Sequence, residues 1–213
     1  MHYVINDIII KSELAAKPLS QTNKYILNYI SNLPKEYSVL DYGCGKLRYS
    51  IPLAKQVSNV VAVDSTEQIN MFQKIGNKIC RPRDILMNNL KIRSLGEMDW
   101  NKKAFDLIFC TNVFSAIPFE QARLELIQNA KSVIKPAGTF FISVQYRNSY
   151  FNTYKTREDV KQYNDGWIIP KKNIFAFYAP ITPEYIVELC KKVGFLSFFV
   201  TKHDGSCFIE AKL

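Results

Sequence analysis

Residues 39–50, VLDYGCGKLRYS, with the apolar run NVVAVD that follows at 59–64, constrain the fold more than any other part of the chain. A buried strand that runs into a Gly-X-Gly turn and then a helix places backbone N–H groups, and backbone clear of side chains, beside a nucleotide-type ligand. An acidic residue ending the next strand stands where ribose hydroxyls need an acceptor. Asp41, two residues before Gly43, and Asp64, at the end of the second run, meet both requirements.

Strands and helices alternate around this unit in the manner of a parallel sheet covered on both faces. The pattern predicts a helix over about 20–31 with Ser20 as N-cap and Tyr25, Ile26, Tyr29 and Ile30 on one face, then a strand at 38–42 and a helix at 47–57. A strand at 59–64, a helix from Thr66 to about Ile75 and a long connection over 76–104 follow, the last holding a strand within 90–95. Beyond it come a strand at 105–110, a helix at 119–134 carrying Ala122, Leu126, Ile127, Ala130 and Ile134 at helical spacing, and a strand at 139–144 entered through Pro136 and Gly138. Thr182 and Pro183 open a helix that Gly194 ends. Two apolar runs, 195–201 and 207–212, flank Asp204-Gly205, a strong hairpin signal.

The predicted fold class is α/β: a doubly wound, mostly parallel seven-stranded sheet with a C-terminal antiparallel hairpin and a lid-like insertion after the fifth strand. One domain is expected, made of an N-terminal helical segment (1–37), a ligand-binding core (38–144), a cap insertion (145–180) and a closing helix and hairpin (181–213). Its 213 residues suffice for a full core. Five scattered cysteines, an odd number, favour reduced thiols over a disulfide framework, and no run approaches the roughly 18 apolar residues of a membrane span. A cytoplasmic protein with no membrane partner is the expectation. The two histidines, His2 and His203, argue against a His-based metal centre or triad, and no metal is expected. A net charge of +9, with eight Lys or Arg against three acids over 74–103, permits an acidic partner, but no recognised nucleic-acid module accompanies it.

LDYGCG at 40–45 resembles the first motif of the class I S-adenosylmethionine-dependent methyltransferases, and AVDS at 62–65 resembles their second. FDLIFCTNVFSAIP at 105–118 and the segment ending IKPAGTFFISV at 134–144 are similar to that family's fourth strand, following helix and fifth strand; Leu47 stands where its third glycine would fall. The resemblance implies S-adenosylmethionine as cofactor, with Asp41 toward the methionine amino group and Gly43, Cys44 and Gly45 passing their backbone beneath it. It assigns Asp64 to the ribose, Ser65 to the side of the adenine, Ser94 and Leu95 to the adenine edge, and Cys110 and Thr111 to the methionine side.

Methyl transfer asks a protein for alignment and a dry pocket more than for reactive groups. Asn112 and Tyr146 are the candidate catalytic residues, Asn112 as a hydrogen-bonding group and Tyr146 as a base or pocket wall. Arg147, Trp167 and Tyr178 are candidate substrate contacts, the alternatives being packing for Trp167 and Tyr178 and an ion pair to Asp159 or another cap acid for Arg147; Asn148 leaves the fifth strand beside them, and Arg48 stands either to reach the same cleft or to cap a neighbouring loop. The insertion holds Tyr146, Tyr150, Phe151, Tyr154, Tyr163, Trp167, Phe175, Phe177 and Tyr178, a density that reads as a cover over a small-molecule substrate. Methylation of RNA, DNA or protein, and cofactor binding without catalysis, stand as alternatives. A nicotinamide dehydrogenase is disfavoured by the C-terminal hairpin.

Overall fold

A computed structural model describes residues 2–147, 152–171 and 174–213; Asn148, Tyr150 and Phe151, named above, lie outside them. The chain opens with strands β1 (His2–Ile5) and β2 (Ile8–Lys11), then helix α1 (Lys24–Ser31), β3 (Ser38–Tyr42), α2 (Ser50–Gln56), β4 (Asn59–Asp64) and α3 (Thr66–Asn70). Next come β5 (Gln73–Ile75), β6 (Lys78–Cys80), β7 (Leu90–Ser94), β8 (Phe105–Thr111), α4 (Glu120–Val133), β9 (Ile134–Gln145) and α5 (Asn152–Thr156). The last are β10 (Lys161–Tyr163), β11 (Gly166–Lys171), β12 (Ile174–Tyr178), α6 (Pro183–Val193), β13 (Ser197–His203) and β14 (Ser206–Lys212).

Seven strands form one sheet in the order β13-β14-β9-β8-β3-β4-β7, mostly parallel and ending in the antiparallel β9-β14-β13 arrangement that the sequence predicts. The chain clusters into two compact units, one of residues 16–110 and 132–139, the other of 2–15, 111–131 and 140–213. In the first, Val39, Leu40, Val60, Ala62, Val63, Leu107, Ile108 and Phe109 are fully buried. Such unbroken apolar runs are what parallel strands covered on both faces require. At the opposite end of these strands from the glycine turn, Asp106 accepts from the Ser38 N–H at 2.9 Å and pairs with Lys135 at 2.9 Å, which fixes where the strands begin.

Several boundaries differ from the sequence reading, each for a local reason. Helix α1 starts at Lys24 because Asn23, not Ser20, is the N-cap, its side chain accepting from the Tyr25 and Ile26 N–H groups. Helix α2 starts at Ser50 rather than Leu47, whose backbone is left-handed at φ 59°. Helix α3 stops at Asn70 and the chain turns into the β5–β6 hairpin about Gly76-Asn77, with Gly76 at φ 59°. Gly-Asn is a two-residue hairpin signal, and here it overrides the helical spacing. The N-terminal segment read as helical begins with a hairpin: Asn6 and Asp7, at φ 47° and 64°, turn β1 onto β2, and β1 with β2 pairs antiparallel.

In the second unit β2 also pairs with β12, giving a sheet in the order β1-β2-β12-β11-β10. The described part of the 145–180 insertion is therefore mostly sheet, completed by the chain's first residues. Arg123 on α4 is buried, with 1% of its surface exposed, where the helical pattern expects an apolar residue. Its guanidinium donates to both oxygens of Asp165 (2.5 and 3.1 Å), to the Ile117 carbonyl (2.9 Å) and to the Tyr185 hydroxyl (3.2 Å). Asp165 lies in the β10–β11 turn and Tyr185 on α6, so one buried cation ties three elements together.

The β13–β14 turn closes as the sequence predicts, His203 opposite Ser206 with Asp204 and Gly205 at φ 48° and 71°, both left-handed as a type I′ turn requires. A Cβ on Gly205 would fall 2.1 Å from the Arg147 carbonyl oxygen. Gly205→Ala therefore combines an unfavourable φ with a backbone clash and is expected to lower stability by about 2–4 kcal/mol, read from the urea midpoint at unchanged slope.

Candidate active site

The first unit gathers its candidate residues at the carboxyl ends of β3, β4 and β7. Parallel register sets Tyr42 beside Val63 and Asp64 beside Ser94, so strand pairing alone makes neighbours of residues far apart in sequence. The glycine turn is bonded to β4: Gly43 and Cys44 both donate to the Val63 carbonyl, at 2.8 and 3.0 Å. Gly45 donates to one carboxylate oxygen of Asp64 at 2.8 Å, and the Ser65 N–H donates to the other at 2.7 Å. Each of these oxygens has a second lone pair, which leaves acceptor capacity for hydroxyl groups. Gly43 and Gly45 have φ of 81° and 54°, and a Cβ on Gly45 would come within 3.2 Å of the Ala16 Cβ.

Asp41 is 2% exposed and accepts from the Ser50 hydroxyl at 2.5 Å. Burial pushes its carboxyl up to about 7; the Ser50 bond opposes this, the Asp64 charge adds to it, and Arg48 pulls it back. Arg48 also donates to the Gln21 carbonyl at 2.9 Å and lies over the Tyr49 ring. Tyr49 in turn accepts from the Asn23 N–H at 3.1 Å. Both contacts bring the stretch before α1 onto the glycine turn, a role for 16–23 that the sequence does not reveal. Arg48 is thus committed to a neighbouring loop.

Leu47, in place of the expected third glycine, has the left-handed backbone a glycine would adopt, and its side chain is fully buried. Left-handed backbone costs a non-glycine residue roughly 1–2 kcal/mol, about what burying a leucine returns. The turn therefore keeps its shape without the glycine.

Ser94 differs from expectation in chemistry. Its N–H donates to the Glu97 carboxylate at 2.6 Å and its hydroxyl takes the Glu97 N–H, a capping box that opens a 3-10 turn at Leu95–Glu97. The Ser94 hydroxyl accepts within its own turn, and Glu97, held also by Arg83 at 2.8 Å, is the carboxylate of this corner. The Leu95 carbonyl accepts from the Trp100 indole at 3.2 Å, and the Trp100 ring lies 5.3 Å from that of Tyr42. Ser65 caps α3 through its hydroxyl, which accepts from the Gln68 N–H. Cys44 and Cys110 are buried, and burial holds the Cys44 thiol far above its ordinary value, so it is inert packing.

The second unit holds the other candidates. Thr111 is buried; Asn112 follows it at φ 57° and donates its N–H to the Ser143 carbonyl at 2.8 Å, marking the kink by which the chain leaves β8. Tyr146 is half-buried with the Lys202 ammonium 5.4 Å from its ring centre, and Arg147 is exposed; both donate backbone N–H groups to the Gly205 carbonyl. Asp159 is paired with Arg157, so it is not Arg147's partner. Trp167 and Tyr178 face each other across β11 and β12, and Tyr154 of α5 completes a cluster, 6.0 Å from Trp167 and 6.3 Å from Tyr178. Burial holds the Tyr178 phenol well above its ordinary value, which makes it a donor rather than a base.

The sheet order with its C-terminal hairpin, and the acid-glycine-acid constellation at the strand ends, define a class I S-adenosylmethionine-dependent methyltransferase. A family model described as "Methyltransferase domain" matches residues 15–196, and the chain belongs to that family. It is 29% identical over 212 residues to the protein YmfD of Escherichia coli, covering 98% of this chain and 95% of that one. It is 31% identical over 134 residues to a ubiquinone biosynthesis O-methyltransferase of Coxiella burnetii, covering 62% of this chain and 54%, about half, of the relative. A crystal structure of a SAM-dependent methyltransferase from Methanosarcina mazei superposes with a TM-score of 0.64 at 18% identity, over 90% of this chain and 98% of that one.

The buried acid carries a pH signature. Its folded value, about 7, lies above the 3.8 of an ordinary aspartate, so its contribution favours folding most at low pH and is lost as pH rises through 7. The loss is at most roughly 4 kcal/mol, from about three units at 1.36 each. Melting temperatures of wild type and Asp41→Asn across pH 4–8 should therefore converge toward acid, with the wild type falling behind the variant as pH rises. Parallel curves would show that Asp41 is ionised throughout.

Proposed function

We propose that this methyltransferase acts on a small molecule. S-adenosylmethionine, when bound, supplies a methyl on a positively charged sulfur, which an acceptor's lone pair takes in line as the carbon–sulfur bond breaks. The residues present fit that cofactor: one turn with two glycines, a carboxylate at the end of the next strand and a buried acid. In this reading Asp64 binds the ribose hydroxyls while holding the turn, and Asp41 faces the amino group of the methionine part. An ammonium there favours the carboxylate form of Asp41, so cofactor affinity would rise with pH up to about 7 and then level. Gly43, Cys44 and Gly45 shape the floor, Ser65 and the Leu95 turn flank the adenine, and Cys110 and Thr111 border the methionine side.

The observation that carries the substrate class is the aromatic cluster of Tyr154, Trp167 and Tyr178. Three rings set by a hairpin and a short helix give flat apolar surface for a compact molecule, with the Tyr178 hydroxyl turned to the Gln145 carbonyl at 3.5 Å. The ubiquinone biosynthesis O-methyltransferase noted above bears a name consistent with a small acceptor. Asn112 is proposed to orient the acceptor through one hydrogen bond, Tyr146 to take its proton or wall the pocket, Arg147 to attract an anionic group on it, and the 145–180 insertion to act as cap. Reaction by positioning and exclusion of water needs no further group.

Two substitutions separate cofactor from substrate. Asp64→Ala should weaken S-adenosylmethionine binding, measured by calorimetry, by about 1.5–3 kcal/mol, because charge-assisted hydrogen bonds are lost. Trp167→Ala should leave that affinity within twofold and, in a screen of small acceptors, lower kcat/KM by at least about tenfold. Full turnover in the Trp167 variant would remove the cluster from the substrate site.

A further inference from the structure

Helix α3 ends after one turn, and the chain that follows projects apolar side chains into water. On the β5–β6 hairpin the register sets Gln73 opposite Cys80, Lys74 opposite Ile79 and Ile75 opposite Lys78. Alternation puts Gln73 and Ile75, both buried, on one face with their partners Cys80 and Lys78, Lys78 being exposed beside the hairpin tip, and puts Lys74 and Ile79 on the other face. Phe72 and Arg81 extend that outer face by one pair, the guanidinium 5.5 Å from the ring centre. Phe72 is 68% exposed and Ile79 77%, and Leu86, a few residues on, is 93% exposed. Lys74 and Lys78 are exposed and make no ion pair among the described residues, whereas Arg81 and Arg83 are paired with Asp84 and Glu97.

We propose that this hairpin is a peripheral membrane contact, setting Phe72 and Ile79 into the boundary between headgroups and acyl chains of an anionic bilayer while Lys74, on the same face, and Lys78, at the rim beside the hairpin tip, meet the lipid charges. The chemistry selects among partners. A stable protein interface needs on the order of 800 Å² from each side with a shaped apolar centre, more than the outer face of two three-residue strands supplies. Nucleic acid rewards stacking surfaces and free cations, yet Ile79 and Leu86 cannot stack. A lipid surface needs no matching shape, only a few apolar side chains flanked by cations, and draws further on the chain's net charge of +9. No described helix is long and apolar enough to cross a membrane, and a peripheral contact requires none.

The test is co-sedimentation of the full chain with phosphatidylcholine vesicles containing about 40% phosphatidylglycerol, against pure phosphatidylcholine, at low salt. Binding to the anionic vesicles, with little to the neutral ones, is expected. Phe72→Ser with Ile79→Ser should reduce partitioning at least about tenfold, and Lys74→Glu with Lys78→Glu by a similar factor. All four residues are exposed, so melting temperature and S-adenosylmethionine binding should hold and show that the fold is intact. In Phe72→Trp, fluorescence should shift to the blue and be quenched by brominated acyl chains on vesicle addition, relative to wild type. Absence of vesicle binding, or binding that survives loss of both apolar side chains, would overturn the proposal. So would stronger binding to an oligonucleotide than to vesicles, or self-association abolished by the same Phe72 and Ile79 changes.

Discussion

The carboxylate of Asp64 holds the N–H of Gly45 with one oxygen and that of Ser65 with the other, and the carboxyl end of β3 and β4 is organised around this pair. Gly45 belongs to the turn after β3 and Ser65 to the cap of α3, so a single side chain sets the separation of the two loops. The Val63 carbonyl, which takes the Gly43 and Cys44 N–H groups, anchors the same turn one residue earlier. Charge-assisted bonds from backbone donors are stronger than neutral ones, and they draw the turn onto β4 rather than leaving its donors to water. A ligand then meets a surface already built.

That rigidity explains how the turn tolerates two departures from ease. Leu47 has a backbone suited to glycine because its side chain fills the core, and Asp41 stays under the turn although burial disfavours its charge. Groups placed against their own solvation collect where structure over-determines them, and such places are commonly functional. The Ser50 hydroxyl, Asp41's hydrogen-bond partner, comes from the first residue of α2, so the late start of that helix and the buried acid are parts of one arrangement.

The second unit depends on a different device. Arg123 is buried and its charge is answered by Asp165 in the β10–β11 turn, while Tyr185 accepts from Arg123 and donates to Glu120. A buried cation stripped of its partner is costly, so this turn is held against α4 more firmly than exposed ion pairs hold their loops. Trp167, of the aromatic cluster proposed to receive substrate, lies on β11 two residues beyond Asp165.

Much of this was legible in the sequence. Unbroken apolar runs specified buried parallel strands, glycine spacing specified the turn, and Asp204-Gly205 specified the closing hairpin, because each is written in a few adjacent residues. Asn6-Asp7 and Gly76-Asn77 carry similar local signals, the second of which the helical spacing of neighbouring apolar residues obscured. Other features had no local signature. That residues 2–11 complete the sheet of the 145–180 insertion follows from β2 pairing with β12, and that Arg123 meets Asp165 follows from how α4 packs against a hairpin 42 residues away. The buried state of Asp41 and the commitment of Ser94 to its own turn likewise depend on what surrounds them. The sequence by itself determined the strands, turns and acid-glycine-acid spacing that make this a methyltransferase; only tertiary structure decided which charges are buried, which backbone is strained and which distant segments share a sheet, because those depend on contacts between residues that no local pattern links.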